Sequence, residues 1–448
     1  MGDFTEEIVI FFRLYGLYVA FIFILIMNLG LIGYFFFKYD NEMLQYRKNR
    51  ATIVNNLQNG DFLELFENPM TANKSLFKNL IGSAALTSQE QYLVNLQPLT
   101  ANVAGYIGPM ERGFFDPDSY LDAAIDAGIR SFILPISVYN DTNLNPPDWP
   151  GSNKPAILFR RGGENNKVIQ SSNGMQIKSF MNSLLLRMQK NEAQADEPIF
   201  IVLKEVKNAV PDSVEDEDKY VKLMDDMGAE LASVSGLDNY RLKTLGSRGS
   251  ATGAANDQTI LMDVPLEELK NKILFFTDFE LGILNKTKYS KSRVTPSLAE
   301  FINFRMEPLG SSSSGASTTP QPNIVTSSTK ATAVRTLSSE AIPGSKINWN
   351  DQTRTNFLIA SDDSPYAVQT KETVQAALKA GLQMIPIPFF YVKGPEQKAA
   401  WDLWKGGAFL VKEKDARFSK PPQIQPAPPN PAFKAQAPGA PPGGVSIL

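Results

Sequence analysis

One uncharged apolar segment near the start of the chain constrains the fold most. Leu14 to Phe37 carries no charged side chain, and Asn28 is its only strongly polar residue. As an α-helix rising ~1.5 Å per residue, it would reach roughly 36 Å, which is enough to cross a hydrocarbon core of about 30 Å. The segment therefore predicts a single transmembrane helix in contact with the lipid bilayer. The alternative interpretation is a core helix of a soluble protein.

The charges that flank this segment predict its orientation. Lys38, Arg47, Lys48 and Arg50 follow it, whereas only Arg13 precedes it. Because positive side chains close to a membrane helix favour the cytosolic side, residues from 38 onward are predicted to lie on that side.

Two residue types are absent from the whole sequence, which contains no Cys and no His. Without Cys there are no disulfides and no thiolate metal sites. Without His the chain lacks the commonest general acid and base and every Ser-His or Cys-His nucleophile system. The net charge of -3 indicates no dominant basic surface, so nucleic-acid binding is not predicted. No cofactor is predicted either.

From about residue 99, helices alternate with short apolar strands. Asp116 suits a helix N-cap and Gly128 the end of that helix, and the apolar strand 131–136 follows. The same order of helix, glycine and buried strand recurs at 376–390. Two further buried strands are predicted, at 198–203 and 273–276. This alternation is typical of an α/β fold with parallel strands, but it does not separate an open sheet from a barrel.

Two segments differ in composition from the rest. Residues 310–346 are rich in Ser and Thr, lack periodicity and are predicted to be a flexible insertion. From Lys420 the chain is rich in proline, which favours an extended polyproline II conformation. This Pro-rich segment is either solvated or a strip that docks along a neighbouring protein.

Five segments resemble phosphoinositide-specific phospholipase C and follow one another in the order of that family: Ala127–Arg130, Pro155–Leu158, Pro265–Leu274, Gly381–Pro386 and Gly406–Lys412. The resemblance spans about residues 95 to 415. It implies an irregular (β/α)8 barrel of the TIM type, preceded here by one N-terminal transmembrane helix. The predicted segments are a membrane anchor at 1–38, a polar, partly helical spacer at 39–95, the first barrel half at 96–309, the insertion at 310–346, the second half at 347–419 and the Pro-rich segment at 420–448.

The catalytic residues of that family do not carry over. The family uses two histidines as general base and acid, and binds calcium through acidic residues and an asparagine. The resemblance aligns Arg160 and Arg161 with a histidine motif. Ile133 and Pro135 align with two calcium ligands. Lys204 aligns with a third, although a shift of one residue would place Glu205 there, and Asn102 keeps at most the asparagine. The chain is therefore predicted to be a pseudoenzyme with no catalytic or metal-binding residues.

The resemblance and the membrane segment together predict a non-catalytic, membrane-anchored structural protein. Its overall design resembles degenerate phospholipase-like minor capsid proteins of large icosahedral DNA viruses, which would tether an internal membrane to a protein shell. Its expected partners are the bilayer, through Leu14–Phe37, and capsid proteins, through the barrel surface and the Pro-rich segment. Its expected location is the interface between virion inner membrane and capsid. The alternative is a membrane protein that binds phosphoinositide or phosphate through Arg160, Arg161 and Lys204.

Overall fold

The structure is a computed structural model of the chain. It describes residues 2–58, 77, 80–81, 85–108, 113–138, 154–161, 168–169, 171, 173–190, 196–205, 214–242, 264–285, 289, 296–308, 324–328, 353–354, 357–360, 369–390, 395–405 and 407–420. The Pro-rich segment beyond Lys420 lies outside the described residues.

The first helix, α1, runs without interruption over Gly2–Gln58. Its window Arg13–Lys38 has a mean hydropathy of 2.4, and none of that window is buried. The helix is therefore long and apolar enough to span a membrane. Because a core helix of a soluble protein would bury most of this surface, the exposure of the window argues against that alternative.

Alternating helices and strands follow α1. The remaining helices are α2 (Pro117–Asp126), α3 (Ile177–Lys190), α4 (Val214–Ala232), α5 (Leu237–Tyr240), α6 (Lys371–Lys379) and α7 (Pro395–Trp401). The strands are β1 (Leu96–Pro98), β2 (Thr100–Asn102), β3 (Tyr106–Ile107), β4 (Phe114–Phe115), β5 (Ser131–Val138), β6 (Pro155–Ile157), β7 (Arg160–Arg161), β8 (Val168–Ile169), β9 (Ile199–Glu205), β10 (Ile273–Thr277), β11 (Phe304–Pro308), β12 (Ile324–Ser328), β13 (Leu358–Ala360), β14 (Pro386–Pro388) and β15 (Phe409–Val411). Short 3-10 turns lie at Leu93–Asn95, Leu266–Leu269, Leu281–Asn285, Leu298–Glu300, Asp402–Trp404 and Lys414–Ala416.

The central sheet confirms the predicted α/β fold. Eight strands pair in the order β13-β12-β11-β10-β9-β5-β2-β14, and every pair in this series is parallel. β6 adds an antiparallel partner at the end of β5. Parallel neighbours require crossover connections, and α2, α3 and α4 supply them between β2 and β5, β5 and β9, and β9 and β10.

The two ends of this sheet meet, but not through a regular ladder. Between β13 and β14 the described residues form an isolated parallel bridge of Ile359 with Met384. The amide of Ala360 donates to the carbonyl of Met384 at 2.8 Å, and the amide of Met384 donates to that of Leu358 at 3.3 Å. β14 begins and ends in proline, which has no N–H, so few ladder bonds are open to it. The sheet therefore curves toward the predicted (β/α)8 barrel, but no regular strand ladder closes it within the described residues.

Two apolar clusters lie on the two faces of the sheet. The larger one fills the layer between the sheet and the helices around it. The smaller one fills the interior of the curved sheet and includes Phe200, Phe276 and Met384. Phe77 and Leu93, from the predicted spacer, are fully buried in this inner cluster. The body of the fold therefore includes residues N-terminal to the predicted boundary at 96.

The repeated unit of helix, glycine and strand is present twice. Asp116 caps α2 by accepting a hydrogen bond from the amide of Ser119 at 3.2 Å, and Thr370 caps α6 in the same way. Gly128 and Gly381 follow these helices with φ of +88° and +83°. Glycine is favoured there because the left-handed conformation is strained for other residues.

Part of the Ser/Thr-rich segment belongs to the central sheet. It supplies β12, which pairs with β11 on one side and β13 on the other. The rest of the predicted insertion at 310–346 lies outside the described residues, so its flexibility stays a prediction. Ile324, Val325 and Thr326 are β-branched and suit a strand, but the surrounding Ser and Thr residues obscure this short signal.

Candidate functional site

A small cavity opens at the carboxyl ends of the parallel strands, where α/β folds place their ligands. Eight residues line it: Asn102, Ile133, Val202, Lys204, Met306, Ile359, Ala360 and Pro386. The space inside it that a water-sized molecule can occupy is about 10 Å³, which is room for about one water and far below the roughly 300–1,000 Å³ of common ligand sites. Six of the eight lining residues are apolar, so only Asn102 and Lys204 offer polar chemistry.

Lys204 is the predicted phosphate-binding residue that the structure brings to this cavity. It lies near the end of β9, directly opposite Pro135 of β5 in the parallel register. Its side chain is half-buried. Ile133, which aligns with a calcium ligand, contributes hydrocarbon to the cavity wall. At a position where the resemblance aligns a calcium-binding carboxylate, this chain therefore has an apolar side chain.

Arg160 and Arg161 form β7, which pairs with β8 in a separate two-stranded sheet. The preceding residue Leu158 donates its amide to the carbonyl of Pro135 at 3.1 Å. This bond holds the start of β7 beside the carboxyl-terminal half of β5. The arginine side chains lie outside the described part of the chain, so their phosphate-binding role stays a prediction.

A cluster of carboxyl groups that sequence reasoning did not assign follows β9 and β10. The carboxylate of Asp278 accepts a hydrogen bond from the amide of Glu205 at 2.6 Å. The hydroxyl of Tyr220 donates to Oε2 of Glu205 at 3.0 Å and accepts from the amide of Glu280 at 3.0 Å. These contacts fasten α4 to the carboxyl ends of two adjacent strands. The acidic residues Asp278 and Glu280, directly after the buried strand β10, are a sequence signal that could have identified this cluster.

Burial governs the electrostatics of this cluster. It raises the pKa of Asp278 to about 6, although the amide of Glu205 and the positive charge of Lys204 oppose the rise. Burial and the neighbouring Glu205 carboxylate raise the pKa of Tyr220 above its ordinary value. Tyr220 therefore stays protonated and acts as a hydrogen-bond donor. Among the described residues, no three Asp or Glu side chains form a group that could hold a metal ion.

The backbone is strained beside the cavity. Val103, which follows β2, has φ of +47°, and Phe390, which follows β14, has φ of +62°. Both values are uncommon for residues other than glycine and cost on the order of 1–3 kcal/mol each. The ring of Phe389 stacks on Trp401 at 4.6 Å between centroids, and this packing holds the end of β14 in place.

Comparisons with known proteins gave structural neighbours only. No protein-family model and no curated protein matches the chain. The structural neighbours are phospholipases C of the phosphoinositide-specific type. PLC21 of L. pealei is 12% identical with a TM-score of 0.44, and PLC21 of S. officinalis is 11% identical with a TM-score of 0.42. Each match covers 74% of this chain but only 39% of the PLC21 chain.

A bacterial enzyme gives a similar result. The calcium-dependent phosphoinositol-specific phospholipase C of a Gram-negative Pseudomonas sp. is 11% identical with a TM-score of 0.32. That match covers 73% of this chain and 94% of the other. At these values, the similarity decides neither activity nor ligand.

Proposed function

We propose that this protein is a non-catalytic, membrane-anchored structural protein that tethers a membrane to a protein layer. The observation that carries the proposal is the apolar window Arg13–Lys38 of α1, none of which is buried. In water such a surface would drive aggregation, whereas a bilayer satisfies it. The proposed topology has α1 crossing the membrane once, with the body on the cytosolic side.

The chemistry of the cavity supports the non-catalytic part. Phosphodiester cleavage needs a general acid and base, and the whole sequence contains no imidazole. Removing such a group typically lowers the rate ~10²–10⁴-fold. Ile133, Val202 and Ile359 give the cavity hydrocarbon walls. By its resemblance to phospholipase-like minor capsid proteins, the proposed setting is the inner membrane of a large DNA virus, with capsid proteins as partners.

Membrane insertion is tested with two arginine substitutions in one helix. Leu25 lies near the middle of the apolar window and is 50% exposed, whereas Leu44 lies outside the window and is 53% exposed. Arginine at a helix centre costs about 2.5–3.5 kcal/mol on insertion. Leu25→Arg is expected to shift the full chain into the alkali-extractable fraction, and Leu44→Arg is expected to leave it in the membrane. Equal extraction of both variants would refute the span.

The tethering role is tested by photo-crosslinking from the barrel surface and the Pro-rich segment in native membranes or particles. Adducts with shell proteins are expected. A full chain that inserts but gives adducts with lipid alone would contradict the role. Calcium-dependent cleavage of phosphoinositides by the purified chain would contradict the non-catalytic part.

The second candidate function is binding of a phosphate group, and the place of Lys204 beside Asn102 in the cavity favours it. Titration of the full chain with inorganic phosphate and with phosphoinositide vesicles would separate a free anion from a lipid headgroup. Lys204→Met is expected to weaken binding, and Lys371→Met, at an exposed position of α6, serves as the control. Equal affinities of the two variants would remove Lys204 from the site.

A further inference from the structure

The segments that lead into and out of the barrel meet at a single face, the amino ends of its strands. β1 precedes β2 and pairs antiparallel with β15, with Leu96 opposite Val411. The amide of Leu99 donates to the carbonyl of Ala408 at 3.0 Å. The chain before β1 and the chain after β15 therefore lie side by side, on the face opposite the cavity.

Asn95 fixes the outgoing segment to the incoming one. Its fully buried side chain brackets the backbone of Phe418, donating to the carbonyl at 2.7 Å and accepting from the amide at 2.8 Å. Its own carbonyl accepts from the amide of Lys412 at 3.1 Å. Bracketing by a carboxamide satisfies two backbone groups at once, so it positions the peptide in one register.

Arg417 adds a second connection. Its Nη1 donates to the carbonyl of Ala85 at 2.8 Å and lies 3.5 Å from Oε2 of Glu90. Its Nε donates to the carbonyl of Lys412 at 2.7 Å. Both side chains of the Arg417–Glu90 pair are largely buried. Salt therefore screens this pair less than it screens an ion pair on the surface.

The last described residues complete the junction. The amide of Lys420 donates to the carbonyl of Gln89 at 2.9 Å. The ring of Phe418 packs edge-on against Tyr92 at 5.5 Å, and the ammonium group of Lys420 lies 5.9 Å from the Tyr92 ring centre. We call residues 85–95 and 412–420, held together by these contacts, the clamp.

We propose that the clamp joins the membrane side of the chain directly to the Pro-rich side, and that tension opens it before the barrel is loaded. The inference rests on the proposed tethering function. Residues 85–98 stay fastened to the barrel, for example by the amide of Leu93 on the carbonyl of Val264 at 3.0 Å and by Nε2 of Gln97 on the carbonyl of Leu382 at 2.7 Å. Force applied through Lys420 therefore reaches the contacts of 412–420 first, and these break one after another. Opening would free residues 412–420, on the order of 30 Å of extended chain.

The barrel contains a matched control for Asn95. Asn303 brackets backbone in the same way, accepting from the amide of Phe275 at 2.8 Å and donating to the carbonyl of Leu242 at 2.7 Å. It is 4% exposed. Asn303→Ala therefore removes two such bonds from the barrel, whereas Asn95→Ala removes two from the clamp together with a third, from Nδ2 to the carbonyl of Glu90 at 2.7 Å.

The experiment pulls the full chain in optical tweezers, with α1 held in a lipid nanodisc and a handle attached beyond Lys420. We expect a first, reversible step on the order of 30 Å, followed by barrel unfolding at higher force. Asn95→Ala should raise the open fraction about 10- to 100-fold, the effect of losing one or two buried hydrogen bonds. Asn303→Ala should leave the first step unchanged and lower the force of the second.

The opposite pattern would overturn the proposal: a first step that weakens with Asn303→Ala and is insensitive to Asn95→Ala. If Asn95→Ala does not fold, hydrogen exchange of the unsubstituted chain decides instead. Amides of 412–420 should exchange faster than those of β5 and β9, and equal rates would refute a separately opening clamp. Detachment of the chain from the nanodisc before any step would instead count against the membrane span. If opening steps are observed but no shell protein crosslinks to the chain in native membranes, the tethering function is contradicted and the clamp is not.

Discussion

Lys412 offers a direct test of how the floor of the barrel is stabilised. It follows β15, is 0% exposed, and its ammonium nitrogen lies 2.6 Å from the carbonyl of Thr353. Burial, with a further contribution from the positive charge of Arg354, lowers the pKa of Lys412 well below its usual value. Burial therefore disfavours the charged form of this side chain in the folded state. Lys412→Met keeps most of the hydrocarbon volume and removes the titrating group.

The expected gain in stability follows from two opposing contributions. Removing the amine costs about 0.5–1.5 kcal/mol for the lost hydrogen bond. The carbonyl of Thr353 keeps a second donor, Nε2 of Gln383 at 3.4 Å. Burying an amine that is costly to charge lowers the free energy of unfolding, so removing it is expected to raise that free energy by several kcal/mol, as for other buried ionisable groups. The net expectation at pH 7 is stabilisation by about 1–3 kcal/mol.

The pH dependence gives the sharper result. The folded state binds fewer protons than the unfolded state between the lowered pKa of Lys412 and the unfolded value of about 10.4. The stability of the unsubstituted chain therefore rises with pH through this window, by up to ~1.4 kcal/mol per pH unit. Lys412→Met should lack that rise, so the advantage of the variant should shrink as pH increases.

The assay is urea unfolding of the full chain in nanodiscs at several pH values, followed by the fluorescence of buried Trp404. Trp404 donates to the carbonyl of Gln97 at 3.0 Å and reports on the same floor of the barrel. Lys371→Met, at an exposed position, is the control and should change neither stability nor its slope with pH. A Lys412→Met variant that is less stable at pH 7, or that keeps the pH slope of the unsubstituted chain, would refute the reasoning.

Three further predictions concern single side chains. Gln383→Leu should destabilise the fold by about 2–4 kcal/mol in urea unfolding, because the fully buried carboxamide accepts from the amide of Leu358 at 2.7 Å and that amide would lose its partner; an unchanged midpoint would contradict this. Because burial raises the pKa of Asp278 to about 6, stability should fall as pH rises from about 4 to 6. Asp278→Asn should flatten that fall in a pH series, and an identical profile would exclude Asp278 as its source. Asp116→Ala should cost about 1 kcal/mol through loss of the α2 cap, and circular dichroism melts that match the unsubstituted chain would show that the cap contributes nothing.

The local elements were predictable where one short segment contains the whole signal. The apolar run at 14–37 is sufficient to define a helix that can span a membrane, because length and hydropathy are properties of the segment alone. The N-cap at Asp116 and the turn at Gly128 follow from the chemistry of one or two residues. Lys204 lines the cavity because residues late in a buried parallel strand reach the carboxyl edge of the sheet; its phosphate-binding role stays a prediction.

Other features depend on partners that are distant in the sequence, and only the tertiary structure decided them. β12 is a strand because β11 and β13 flank it, although its own segment has the composition of a linker. Asp278 has a raised pKa because folding buries it, although the amide of Glu205 on the adjacent strand β9 opposes the rise. Asn95 and Phe418 are 323 positions apart, and no local pattern indicates that they meet. Local sequence determined elements such as α1 and α2, whereas long-range packing determined β12 and which polar groups lie together, and therefore what each can do.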